Sequence, residues 1–150
     1  MADHEDFRSF GARGAGGAVT RSHPDLVVGS WNVDRIGSID GSLEPPLQGS
    51  RVQVRFDGAG AVMGHAGCNS YRGPCRIEGD AIDVGTLATT RKFCLRPPGV
   101  MDQEARYLEL LAQANRIAFE ADNTLVLFDD SDARLLMMKR VAGWRDGEGL

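Results

Sequence analysis

Apolar and polar positions alternate along most of this chain in short runs with a period of two. In "RVQVRF", Val52, Val54 and Phe56 share one face, while Arg51, Gln53 and Arg55 share the other. That alternation predicts a half-buried strand. "LVVGSWNVDRI" predicts an earlier strand that carries Trp31, and the Gly-, Ser- and Pro-rich "GSIDGSLEPPLQGS" predicts the loop after it. "DGAG" predicts a hairpin turn into a returning strand, "AVMGHA". In "YRGPCRIEGDAIDVG" one strand carries Cys75 and Ile77 on one face. A turn at Gly79 and Asp80 leads to a short strand in which Ile82 and Val84 face together. "RIAFE", "TLVLFD" and "RLLMMKR" predict three closing strands, joined at residues 121–123 and 129–132.

One segment changes period. In "VMDQEARYLELLAQA", Met101, Ala105, Leu108, Leu111 and Ala112 fall on a single helical stripe. Pro97, Pro98 and Gly99 suit a helix entry, and Asp102, Gln103 and Glu104 suit its first turn. The expected helix covers about residues 100–114. Glu104 and Glu109 then read as surface carboxylates, since no second acid is placed to pair with either. Roughly eight strands and one helix make an α+β protein. Hairpin turns connect nearly every strand pair, so the sheet is expected to be mostly antiparallel.

The alternation does not reach the ends. Residues 1–23 include "GARGAGGA" and show no periodicity, which predicts a disordered arm. No strand precedes those glycines and no helix follows, so they make no phosphate cradle. Residues 24–141 are expected to fold as one domain, and 142–150 to form a loose tail in which Trp144 has a chance to dock. A chain of 150 residues is long enough for one core of ordinary size. The net charge of −4 argues against a nucleic-acid surface. No apolar run approaches the roughly 18 residues of a membrane span. "MADHEDFRSF" has neither a basic region nor an apolar one, so it does not read as a secretory signal. As written, the chain reads as cytoplasmic.

Candidate chemistry is sparse. His65 lies three residues before Cys68, and in a strand that spacing puts the two on opposite faces, a poor nucleophile and base pair. His65, Cys68, Cys75 and Cys94 have the spacing H-x2-C-x6-C-x18-C, which lacks the two close pairs of a compact zinc site. "DDSD" at 129–132 lacks the glycine and distant glutamate of a calcium loop and reads as a solvated hairpin turn. Neither a metal nor a cofactor is expected. Three cysteines allow at most one internal disulfide and leave one thiol over.

The motifs "GHAGCNSYRG", "DVGTLATTRKFC", "MDQEARYLELL", "NTLVLFD" and "ARLLMMKR", in this order, resemble the META-domain family of the heat-shock protein HslJ type. The residues that carry the resemblance are Gly67, Cys68, Asn69, Tyr71, Thr89, Thr90, Arg91, Cys94, Glu104 and Tyr107, with Leu26, Gly29 and Trp31 earlier in the chain. It covers about residues 26–140. Cys75 departs from the pattern, standing where the family has an ordinary strand residue. Many members also begin with an export or lipoprotein signal, which this chain does not show.

The resemblance implies a curved antiparallel sheet or a partly open small β-barrel with one packed α-helix. It implies no reaction, so a non-enzymatic protein is expected. It also implies that Cys68 and Cys94 occupy paired positions, and a bridge between them would stabilise the fold by about 3–4 kcal/mol. The other reading, two reduced and buried thiols, stays open, because cysteines without an export signal are usually reduced. Cys75 is the odd thiol in either case. Two functions are compatible with this picture. One is a monomeric stress-related or envelope-associated module that binds a protein partner. The other is a lipocalin-like carrier with a small apolar ligand or lipid in the barrel. Val52, Val54, Phe56, Leu125, Leu127 and Met137 could line a filled core or a cavity, and small barrels are usually filled by side chains.

Overall fold

The computed structural model describes residues 26–121 and 123–141, so the expectations for the arm and for Trp144 in the tail lie outside the described residues. The strands are β1 (Gly29–Gly37), β2 (Leu43–Glu44), β3 (Val52–Phe56), β4 (Ala61–Ala66), β5 (Ser70–Glu78), β6 (Ala81–Val84) and β7 (Ala88–Thr89). They are followed by helix α1 (Val100–Gln113) and by β8 (Arg116–Ala121), β9 (Thr124–Phe128) and β10 (Arg134–Arg140).

Every pairing is antiparallel, and the order β1-β3-β4-β5-β6-β8-β9-β10 returns to β1 because β10 also pairs with β1. Eight strands therefore close an irregular ring. The two-residue strands β2 and β7 add to β1 and β5. The weakest seam joins β6 to β8, where Ala81 and Arg116 form the single register pair. Main-chain bonds from Ile82 N–H to Asn115 O and from Ile117 N–H to Asp80 O hold it shut. The curved antiparallel sheet with one packed helix that the resemblance implies is the fold observed, drawn into a ring by the pairing of β10 with β1.

Closure explains why alternation was so legible. A closed sheet has one inside, so every second residue points into it. Val52, Val54 and Phe56 enter the core as expected, together with Trp31, Val62, Ile82, Ile117, Leu125, Leu127 and Leu136. Trp31 is fully buried and its indole N–H donates to Val27 O at 2.9 Å, so the ring's one polar atom is satisfied. One position moves: Met138, not Met137, joins Leu135 and Leu136 in the core, because a register shift between Arg134 and Leu136 displaces the alternation.

The helix lies where expected and Leu111 is buried as expected, but the rest of its fully buried stripe is another one. Val100, Glu104, Tyr107, Leu110 and Leu111 are buried, while Ala105 and Ala112 are exposed. Hydropathy pointed away from this face because it carries a carboxylate and a phenol. Both are buried because each finds hydrogen-bond partners inside. The helix touches β4, β6 and β10. Those strands are spread around the ring, so α1 lies across an opening of the barrel.

Candidate functional site

The turn between β4 and β5 places the central motif. Gly67 has φ +118, which L side chains rarely adopt, and a Cβ there would also stand 3.3 Å from Val100 Cγ2. Ala66 N–H donates to Asn69 O at 2.8 Å and closes the turn. The N–H groups of Cys68 and Asn69 then point at α1, and both donate to Glu104 Oε1, at 2.8 and 2.7 Å. Asn69 Nδ2 donates to Glu104 Oε2 at 2.6 Å. Glu104, expected on the surface, is 5% exposed. A buried carboxylate is costly without partners, and three N–H donors supply them.

Asn69 uses its whole amide. Its second Nδ2 hydrogen goes to Lys92 O at 3.1 Å, and its Oδ1 accepts from Thr90 Oγ1 at 2.8 Å and Lys92 N–H at 2.6 Å. Thr90 Oγ1 in turn accepts from Ser70 N–H. Cys68 is bonded to Cys94 in a disulfide, with Cα atoms 5.9 Å apart and a sequence separation of 26. The motif residues Gly67, Cys68, Asn69, Thr90, Cys94 and Glu104 therefore form one knot that ties a β-turn, a loop and a helix together.

A second pair lies inside the barrel. The Tyr71 hydroxyl donates to Gln53 O at 2.9 Å, so the 2.6 Å contact between the Tyr71 and Tyr107 hydroxyls has Tyr107 as its donor. Gly64 makes room. A Cβ there would fall 2.0 Å from Gln53 O and 2.7 Å from the Tyr71 hydroxyl. Neighbouring residues of α1 reach other segments. Gln103 accepts from Leu47 N–H and donates to Ser50 Oγ, and Arg106 Nε donates to Gly37 O.

The polar groups of Glu104, Asn69, Tyr71 and Tyr107 are taken up by partners within this arrangement. Burial pushes both tyrosines above their usual range, Tyr71 also through Tyr107 beside it. Burial, then the charges of Asp83 and Asp57, push the free Cys75 thiol up to about 12, where it is a poor nucleophile at neutral pH. The Cys68 sulfur is bonded to Cys94, so His65, three residues before it, has no thiol there to activate. Among the described residues, no three His, Cys, Asp or Glu side chains gather for a metal. The Asp129 carboxylate caps its own hairpin turn by accepting from Ser131 and Ala133 N–H.

The remaining motif residues lie outward. Thr89 sits in β7 opposite Tyr71. Arg91 is exposed, as are Lys92, Phe93, Leu95 and Arg96 after it. Phe93 is 75% exposed and Leu95 76%, although the loop is fastened through Lys92 and Cys94. Sequence reasoning passed over these two residues. The signal was present in "RKFCLR", two large apolar residues set among cations.

Comparison with solved structures shows the fold. A protein from Burkholderia xenovorans, solved by NMR, superimposes with a TM-score of 0.65 at 23% identity, covering 84% of this chain and 94% of that one. A crystal structure of a DUF4847 family protein from Bacteroides vulgatus ATCC 8482 gives 0.54 at 14% identity, covering 76% and 93%. No curated protein matches the sequence. The META domain model matches residues 24–142, through every element of the barrel and the knot that Glu104 closes, and the chain belongs to the META domain family.

Proposed function

We propose that this META-domain protein is a non-catalytic binding module that works through an external docking surface, in a stress-related or envelope-associated role. The observation that carries the reading is the loop at residues 91–96. A protein that fastens a loop by a disulfide and an asparagine, yet leaves Phe93 and Leu95 about three-quarters exposed, keeps apolar surface ready for another molecule. From the sequence, the expected partner is a protein.

The competing function, a small apolar ligand or lipid inside the barrel, has less support. The interior is occupied by Trp31, Phe56, Tyr71, Tyr107 and the aliphatic side chains around them. A hollow beside Cys75, lined by Val28, Phe56, Gly58 and Ile77, holds about 190 Å³. Ligand sites usually run from about 300 Å³ upward. Titration with a fluorescent fatty acid tests the choice. The docking reading expects no saturable uptake and no rise in melting temperature. Stoichiometric binding that raises the melting temperature would establish a carrier instead.

A further inference from the structure

We infer that residues 91–96 form a docking loop for an anionic bilayer surface, with Phe93 and Leu95 entering the headgroup layer while Arg91, Lys92 and Arg96 meet its negative lipids. This rests on the external-docking reading above and names the surface that is docked.

The first observation is charge. The chain carries −4 overall, yet no acid occurs between Asp83 and Asp102. Arg91, Lys92 and Arg96 are exposed and form no ion pair among the described residues. The cations bracket the apolar pair, two before and one after. When the tip enters a bilayer, they are left at the depth of the headgroups, where each basic residue strengthens attachment to an anionic surface.

The second observation is shape. Lys92 N–H and C=O both bond the Asn69 side chain, and the next-but-one residue, Cys94, is in the disulfide. Phe93 lies between two fixed points and projects outward, and Leu95 follows on the other side of Cys94. A second protein would need a matching pocket to accept two such projections. A bilayer accepts them without one. Because the loop is already fastened, insertion costs little ordering of the main chain. No described helix is long and apolar enough to cross a membrane.

The test is co-sedimentation of the full chain with phosphatidylcholine vesicles, with and without about 30 mol % phosphatidylglycerol. Binding is expected only with the anionic lipid and should weaken as salt rises. The double variant Phe93→Ser/Leu95→Ser should weaken it about tenfold or more. The triple variant Arg91→Ser/Lys92→Ser/Arg96→Ser should weaken it about 100-fold. All five side chains are exposed, so unchanged thermal melts will show that the variants fold. Failure to sediment with anionic vesicles overturns the proposal and leaves the surface to a protein partner. Binding that survives both variants, or that is equal without the anionic lipid, also overturns it. None of these failures touches the external-docking reading, which the fatty-acid titration decides.

Discussion

Glu104 is the residue on which the knot depends, because it alone receives N–H groups from Cys68 and from both the main chain and side chain of Asn69. Glu104→Ala leaves three buried donors unmet and is expected to cost about 3–5 kcal/mol. Glu104→Gln keeps one acceptor oxygen but turns an amide N–H₂ toward Asn69 Nδ2, for about 1–3 kcal/mol. Urea denaturation measures both. Equal, small losses would mean that the carboxylate is not structural. The tyrosines offer a test of direction. Tyr71→Phe removes both the donor to Gln53 O and the acceptor of the Tyr107 hydroxyl, whereas Tyr107→Phe leaves the bond from Tyr71 to Gln53 in place. Tyr71→Phe should therefore cost more, roughly 1–3 kcal/mol against about 1. The reverse order would contradict the assignment of Tyr107 as donor.

At the scale of elements, the loop between β7 and α1 has almost no secondary structure, and its position depends on its two attachments. The disulfide closes a separation of 26 residues, so Cys68→Ser should cost about 3–4 kcal/mol under oxidising conditions. Under reductant the wild type loses the same advantage, and the two proteins should melt within a few degrees of each other. A large deficit that persists in reductant would place the effect in packing at Cys68, which is 3% exposed, and not in the cross-link. The helix is tied independently by Gln103, Glu104, Arg106 and Tyr107, each to a different segment. It should therefore remain docked when the disulfide is cut, with its circular dichroism unchanged.

Across the whole molecule, three buried acids share one pH response. Cys75, Tyr71 and Tyr107 all have raised values in the folded state. Their neutral forms favour the fold, so that stability is fully present below the unfolded values and is lost as pH rises. Loss should begin near 9.0, where the unfolded Cys75 thiol ionises, steepen from 10.0 as the unfolded tyrosines follow, and end for Cys75 at about 12. Each group contributes a slope of about 1.4 kcal/mol per pH unit within its window. Melting temperature against pH measures this. Cys75→Ala should move the onset from about 9 to about 10, and an unmoved onset would show that the thiol is not the first group to respond.

The legible part of this protein is the part with a period. Val52-Val54-Phe56, the hairpin turns and the motif order were readable, because a barrel has one interior and each strand must alternate to fill it. The family followed from the order of short motifs, and it implied that Cys68 and Cys94 are paired positions, but only the structure decided between a bridge and two reduced thiols. The helix face was not readable. Glu104 and Tyr107 look like surface residues until the turn at Gly67 and the ring of Tyr71 bring donors and acceptors to them across 35 and 36 positions of chain. Hydropathy scores a side chain alone, whereas burial depends on whether its polar atoms find partners after folding. Phe93 and Leu95 are the converse: apolar by composition, they stay outside because Lys92 and Cys94 on either side of Phe93 are held to Asn69 and Cys68.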